Sequence, residues 1–362
     1  MVSTSFPRDA ADWQGRFIYD MALHVAARRG LALSLWAPPG ELPSRVHAAA
    51  TQSESDWLAG MALRGGIAQI LRRERLSGLI TASRLMAQQW VAYRRLRPDL
   101  FHVNWLQNAV ALGRTATPAL ITVLGSDLGL MRLPGMRTAL RTVLSVRRAM
   151  LAPNAEWMVG PLRKAFGDIA RIEAVPFGVA PEWFGVERSP AAASKDWLVV
   201  SRVTRGKIGD LLGWGEGLFG ETRQLHMFGP MQESVALPPW VRYHGPTYPK
   251  ALREEWFPRA TGLLTLSRHD EGRPQVLIEA MAAGLPVIGS AIAAHADLIR
   301  HGETGWLAAD RAALANALTA VEAPESAARV GLAARRFVKE NFGTWEDCAR
   351  RYGDAYRMLM ET

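Results

Sequence analysis

Short runs of β-forming residues alternate along this chain with stretches long enough to make a crossover helix. The runs are LALSLW (31–36), LFHVN (100–104), PALITV (118–123), WMVG (157–160), IEAVP (172–176), WLVVS (197–201), QLHMF (224–228), VRYHG (241–245), GLLTLS (262–267) and PVIGS (286–290). Parallel strands need a long connection, and a helix is the usual one. The rhythm therefore specifies an α/β chain, with parallel sheets covered by helices on both faces. It breaks at 176–196, where PFGVAPEWFGVERSPAAASKD is rich in Pro, Gly, Ala and Ser, as linkers are. The residues on either side read as two separate doubly wound domains, and 362 residues suffice for both.

Open α/β sheets bind ligands at the carboxyl ends of their strands. After WLVVS comes SRVTRGKIG, which puts Arg202 and Lys207 at a strand end. An arginine fork and a lysine point charge on one loop can grip a diphosphate, or can simply be solvated. After GLLTLS comes RHDEGRPQVLIEAMAAGLPVIGS. Gly272 and Pro274 mark a turn and a helix start, and a helix is expected from about Gln275 to Ala283. Gly284 supplies a left-handed cap and Pro286 prevents continuation. Glu279 falls inside the apolar run Val276, Leu277, Ile278, Ala280, Met281, so it is expected to be buried. A buried carboxylate needs a partner. The hydroxyl pair of a ribose would serve, and so would a protein arginine. The amide end of this helix, Arg273 to Val276, is a phosphate site in waiting. Glu271, just before it, can accept hydrogen bonds from sugar hydroxyls.

Composition narrows the class. No apolar run reaches the length of about 18 residues that a membrane span needs. The N-terminus carries no signal-peptide pattern, and a single cysteine, Cys348, fits a reducing cytoplasm. Residues 1–180 hold 22 Arg and Lys against 12 Asp and Glu, while the remainder holds 21 against 22. A basic half implies an anionic partner. No zinc-finger, RNP or basic-zipper pattern is present, which excludes the common nucleic-acid readers. The basic residues cluster at Arg72, Arg73 and Arg75, and again at Arg132, Arg137, Arg141, Arg147 and Arg148. In the second cluster Leu133, Met136, Leu140, Leu144 and Val146 recur at roughly helical spacing. That reads either as a basic amphipathic helix lying on a membrane or as an ordinary solvated face.

Glu271 and Glu279, with seven residues between them and followed by AMAAGLPVI, resemble the Glu-x7-Glu signature of retaining family-4 glycosyltransferases of the GT-B fold. SRVTRGKIGDLL, LHMFGP, VRYHGPT, HADLIRHGETGWL, VPFGVAPEWF, RPDLFHVNW, ITVLGSDL and TWEDCARRYGDAYRML resemble further segments of that family, most specifically over 197–308. The resemblance implies two Rossmann-like domains, 1–176 on the acceptor side and 177–345 holding the nucleotide-sugar. The active site would lie in the cleft between them, and 346–362 would form a helix crossing back to the first domain. It implies that Arg202 and Lys207 contact the donor diphosphate, Glu271 the transferred sugar and Glu279 the ribose. Gly272 and the backbone of Arg273, Pro274, Gln275 and Val276 complete the donor site, with His244 beside it. The family's glycine loop near the N-terminus corresponds to FPRDAADWQGRF, with Gly15 against the diphosphate and Asp9, Asp12 and Trp13 facing an acceptor. Two departures stand out. The family's histidine before Gly-Ser-Asp is Leu124 here, leaving Ser126, Asp127 or backbone groups to assist, although Asp127 also suits a helix cap. The first strand, MVSTS, is short for a Rossmann-like domain.

The implied reaction transfers a glycosyl group from a UDP- or GDP-sugar to an acceptor hydroxyl with retention, in surface polysaccharide or glycolipid assembly. The nucleotide-sugar is a co-substrate, and no other cofactor is expected. No Asp-x-Asp pattern is present, so metal-independent chemistry is expected. The acceptor would be a glycan or a lipid-linked one, and the protein cytoplasmic or peripheral on the membrane's inner face. Domain closure about 176–196 would gate the site. Rival readings are another GT-B-type enzyme, such as a sugar-nucleotide epimerase or a phosphorylase, and a non-catalytic subunit keeping the fold.

Overall fold

The structure is a computed structural model, and it describes residues 1–9, 12–189, 196–269 and 271–361. The chain divides into two compact units. One comprises Met1–Phe177 with Trp345–Thr362, the other Gly178–Thr344.

In the first unit, β1 (Leu33–Leu35) pairs with β2 (Val46–Ala48), and β3 (Phe101–Asn104), β4 (Ala119–Val123), β5 (Ala149–Pro153) and β6 (Arg171–Ile172) form a four-stranded sheet, all parallel. The short N-terminal run joins the two. The Val2 amide donates to His102 O and the Asn104 amide to Val2 O, while the Ser3 amide donates to Trp36 O. MVSTS is thus a stunted central strand, fully buried at Val2 and Ser3. Counting it, the order is doubly wound, with the reversal between Met1–Ser3 and β3.

Two expectations are corrected. WMVG is helix, not strand: a 3-10 turn at Glu156–Met158 leads into the helix Val159–Phe166. Its buried residues Val159, Leu162, Ala165 and Phe166 follow helical spacing. The basic helix expected across 131–151 is only Met136–Leu144, and Ala149–Pro153 is a strand buried at every position. A strand inside a parallel sheet is apolar on both faces, so period alone cannot separate it from buried helix. The strands β2 and β6 are two or three residues long, too short to carry a pattern.

In the second unit, β7 (Asp196–Val200), β8 (Gln224–Phe228), β9 (Val241–Gly245), β10 (Gly262–Thr265), β11 (Val287–Ser290) and β12 (Trp306–Ala308) form one parallel sheet in the order β12-β11-β10-β7-β8-β9. This is the Rossmann order, with its reversal between β7 and β10. The expected linker contributes core residues to this unit. Val179 and Trp183 are buried with Leu277 and Phe257, and Val179 bridges to Thr344. The remainder of that stretch, 190–195, lies outside the described residues.

The C-terminal helix Trp345–Met360 packs on the helix Arg16–Ala26 and on β4. Between them runs a buried polar chain. Tyr352 OH lies 2.9 Å from Thr122 Oγ1, which lies 2.8 Å from His102 Nε2, and His102 Nδ1 meets Tyr356 OH at 2.5 Å. Burial holds the His102 imidazole well below its usual pKa, so it sits there neutral. No helix among the described residues is long and apolar enough to cross a membrane. Removing the fully buried Tyr352 ring with Tyr352→Ala should cost about 3–5 kcal/mol in urea unfolding, whereas Tyr352→Phe should cost about 1. Equal losses for both would mean that the hydroxyl chain, not the ring packing, ties the helix down.

Candidate functional site

Each sheet reverses its winding once, and the loops after the strands at the reversal carry the sequence-selected residues. In the second unit these are the loop after β7 and the loop after β10. Arg202 lies two residues past β7. Lys207 lies on the turn of helix Arg205–Ile208, whose Thr204 hydroxyl accepts from the Lys207 amide at 3.2 Å. The two loops are laced together. The Arg268 amide donates to Gly206 O at 2.9 Å, and Arg268 Nε donates to Asp210 Oδ2 at 2.7 Å. Gly209 allows this approach. It has φ 56°, and a Cβ there would stand 1.8 Å from the Leu266 carbonyl oxygen.

Across the gap Lys207 Nζ meets Glu271 Oε2 at 2.7 Å, with the two side chains only 17% and 8% exposed. Burial pushes the Glu271 carboxyl up, but the charge and hydrogen bond of Lys207, with the Ser267 hydroxyl, outweigh it and hold the group below its usual range. Burial pulls Lys207 down, Glu271 partly offsets this, and Arg202 adds repulsion. Arg202 Nη1 also reaches Gln232 Oε1 at 3.4 Å.

His295, after β11, completes the cluster. It was not singled out in the sequence, although it follows a strand that ends at the same sheet edge. It is fully buried. Its Nδ1 lies 3.0 Å from Ser290 O, and Ser290 Oγ donates to Ser267 O at 2.6 Å. Burial lowers the His295 pKa against the attraction of Glu271. Its Nε2 meets no hydrogen-bond partner among the described residues.

The helix Gln275–Ala282 starts where expected, one residue after Pro274, whose carbonyl takes the amides of Leu277 and Ile278 at 3.2 and 3.4 Å. The amides of Gln275 and Val276 come before the first intrahelical bond and form the helix's positive end. One expectation changes here, the burial of Glu279, while the Arg273 side chain takes a place the sequence does not specify. The Arg273 side chain turns away from this end: its Nη2 donates to Asp297 Oδ2 at 2.7 Å, and its guanidinium lies 4.2 Å over the Phe342 ring. Only its backbone remains for a ligand. Glu279 is half-buried rather than buried, because it lies on the strip of helix shared with Gln275 and Val276, which are also half-buried. The Gln275 side chain is engaged too, donating to Gly178 O at 2.9 Å. Gly272 lies half-buried between Glu271 and this end.

His244 is not brought to this cluster. It stands on the edge strand β9, with its ring stacked on Phe228 at 4.7 Å and its Nε2 2.9 Å from His226 Nδ1. Trp256 closes the same aromatic group.

In the first unit, Gly15 caps the helix Arg16–Ala26 with φ 72°, and a Cβ there would stand 2.7 Å from Ser5 Oγ. No other residue type brings this helix start so close to the end of the first strand. Asp12 holds the loop: its Oδ2 accepts from the Arg8 amide and Nε at 3.2 and 3.1 Å, and its Oδ1 from the Gln14 amide at 3.0 Å. Trp13 is 40% exposed. Asp127, expected as a candidate catalytic group, is fully buried instead. Its Oδ2 accepts from the amides of Leu124 and Leu106 at 2.9 and 3.2 Å, so the carboxyl ties the start of its helix to the loop after β3. Leu124 is half-buried at the same helix start.

With this geometry in view, residues 217–322 match the family model for glycosyl transferases group 1. The D-inositol 3-phosphate glycosyltransferase of Streptomyces griseus is 29% identical over 226 residues, 62% of this chain and 42% of that protein. An exopolysaccharide phosphotransferase of Streptomyces coelicolor is 34% identical over 96 residues, 26% of this chain and 10% of that protein. The chain thus spans under half the length of these curated relatives. Among solved structures, sucrose-phosphate synthase from Thermosynechococcus elongatus superposes with a TM-score of 0.73 at 20% identity, covering 95% of this chain and 92% of that one. Anabaena HepE in complex with UDP-glucose gives 0.66 at 13% identity, covering 99% and 98%. These likenesses show the fold: the chain has the GT-B fold, with two Rossmann-like domains.

Burial raises the Asp127 pKa from 3.8 to about 7, against the pull of the two amides. The native state therefore keeps this proton where the unfolded chain has lost it. Stability from this group is greatest below about pH 4 and declines as pH rises to about 7. Between pH 5 and 8 the wild type should lose about 2–3 kcal/mol relative to Asp127→Asn in urea unfolding. Parallel pH profiles for the two proteins would show that the carboxyl is ionised throughout.

Proposed function

We propose that this protein is a retaining glycosyltransferase that moves a sugar from a UDP- or GDP-sugar to an acceptor hydroxyl. The observation that carries this reading is the half-enclosed Lys207–Glu271 pair beside the amide end of helix Gln275–Ala282. An ion pair this buried gains little net stability over apolar side chains of the same volume. A lysine and a helix end aimed at one spot do, however, make an anion site. Glu271 then stands in for the anion. An arriving diphosphate takes Lys207, with Arg202 adding a second cation, and releases Glu271 to accept hydrogen bonds from the transferred sugar. Glu279, about 6 Å further along the helix at 1.5 Å per residue, suits the ribose hydroxyls. The match of 217–322 to glycosyl transferases group 1 supports the same chemistry, and HepE, solved with UDP-glucose, favours a uridine donor.

In the reaction the bond from the anomeric carbon to the diphosphate oxygen breaks as a bond to the acceptor oxygen forms on the same face. The transition state is oxocarbenium-like, and the leaving diphosphate takes the acceptor's proton. Lys207, Arg202 and the helix amides stabilise the charge growing on the diphosphate, which is preorganised electrostatic catalysis. Two cations do here what a divalent ion does elsewhere, so the transfer is metal-independent. The acceptor is a glycan or lipid-linked sugar of the kind used in surface polysaccharide or glycolipid assembly.

Thermal-shift titration with UDP, GDP and ADP tests the donor site, since a nucleotide that binds only the folded state raises the melting temperature. Glu279→Ala should abolish the shift. Glu271→Gln should bind UDP about fivefold tighter, because Lys207 no longer has to leave a partner worth ~1 kcal/mol, yet lose transfer by about 100-fold. A chelator should leave transfer unchanged. No shift with any nucleotide would overturn the reading, and loss of transfer with EDTA restored by Mg²⁺ or Mn²⁺ would overturn its metal-independent form.

A further inference from the structure

The helix Arg75–Leu96 has two apolar faces. One is buried in the first unit through Gly78, Leu85, Gln89, Ala92 and Tyr93. The other faces water. Leu76 is 80% exposed, Leu79 59%, Ile80 71%, Met86 42%, Trp90 46% and Val91 51%. At 100° per residue these six, with Ser83 and Ala87 between them, fall on one stripe. It runs roughly 22 Å along the helix. Leu63, at the end of helix Gln52–Leu63, is 73% exposed, and its neighbour Arg64 reaches across to Glu74 at 2.9 Å and Ser77 at 3.4 Å. Folded proteins rarely leave a contiguous stripe of this kind in water without a use for it.

The charge around the stripe is of one sign. Residues 64–97 contain eight arginines and one acidic residue, Glu74, which Arg64 neutralises. Arg72, Arg73 and Arg75 stand exposed at one end. Arg84 lies along the flank, 5.3 Å over the Trp57 ring, and Arg94 lies 4.5 Å over Trp90 at the other end. The helix itself holds no acidic residue. A second copy of the chain docking through this face would bring like charges together. An anionic surface would receive the apolar stripe in its acyl boundary while the arginines reach its headgroups.

We propose that helix Arg75–Leu96, with Arg72 and Arg73 before it, is the docking face for a bilayer carrying anionic headgroups. The helix lies in the plane of the interface: Leu76, Leu79 and Ile80 enter the acyl boundary, Trp90 sits at headgroup depth and the arginines bind phosphates. This surface is distinct from the basic segment 132–148 suggested by the sequence, where Arg132, Arg137 and Arg148 are exposed but Arg141 and Arg147 are engaged. There Arg147 is buried, donating to Val143 O and Gly113 O, and Arg141 pairs with Asp168. The proposal stands on the first unit alone, and its readout does not depend on sugar transfer.

The experiment is co-sedimentation of the full chain with sucrose-loaded vesicles of phosphatidylcholine alone or with about 30% phosphatidylglycerol, at low and high salt. Binding is expected to the anionic vesicles and to weaken in about 0.5 M salt. The triple variant Arg72→Gln/Arg73→Gln/Arg75→Gln should bind about a hundredfold more weakly. Leu76→Ser/Leu79→Ser/Ile80→Ser should also lose binding. All substituted side chains are solvent-facing, so the melting temperature and the UDP shift should stay at wild-type values. No binding to anionic vesicles, or wild-type binding by both triple variants, would overturn the proposal. So would a sedimentation-velocity dimer that the serine variant converts to monomer while vesicles go unbound, since the occupant would then be a second copy.

Discussion

A chain that builds parallel sheets must return across a sheet face after each strand. Where successive returns leave on opposite faces, the loops diverge and the carboxyl ends of two neighbouring strands are left uncovered. In the second unit that place is β7 beside β10, and in the first it is Met1–Ser3 beside β3. The rest of the candidate chemistry follows from this. The loops after β7 and β10 are close enough to be laced through Gly206 and Arg268, yet open enough to leave Lys207 and Glu271 partly wet. Gly209 and Gly15 are required because backbone passes backbone at these two places.

Partial enclosure sets the electrostatics. A fully solvated Lys–Glu pair would be worth little, and a fully buried one would resist being opened. At 17% and 8% exposure Lys207 and Glu271 lie between these limits. Glu271 stays ionised because Lys207 and Ser267 hold it, so the cluster carries no unbalanced charge while it waits. His295 and Ser290 brace the far side, tying the end of β11 to Ser267.

The sequence could reveal those elements whose signals were local. Helix Gln275–Ala282 was legible because Pro274 starts it and Gly284, at φ 68°, ends it within one turn of pattern. The strands after which Arg202 and Glu271 fall were legible for the same reason. The turned-away side chain of Arg273 was not, since its partner Asp297 lies 24 positions along the chain. Asp127 reads as cap or catalyst in GSDL; the Leu124 amide makes it a cap, and its bond to the Leu106 amide, from the loop after β3, could not be read locally. The stretch 176–189 looked like a linker by composition, but Val179 and Trp183 carry it into the core. A few well-placed apolar residues outweigh a Pro- and Gly-rich background when they meet partners the local window does not contain.

Charge shows the same lesson in its sharpest form. Segment 132–148 and segment 72–75 are both arginine-rich, and by count the first is the better candidate for an anionic partner. Folding engages part of it: Arg147 becomes a buried clamp on two carbonyls and Arg141 an ion-pair partner, while Arg132, Arg137 and Arg148 stay exposed. The second segment keeps its charge because its helix has no acidic residue and its neighbours offer only Glu74 and Glu54. Nor does the helix Arg75–Leu96 declare itself amphipathic. One apolar face is matched by another across the helix, so the periodic signal cancels, and only the packing of Leu85, Ala92 and Tyr93 shows which face has been used. What a basic, apolar helix offers to solvent is therefore a property of the folded unit, set by which of its two faces the core claims first.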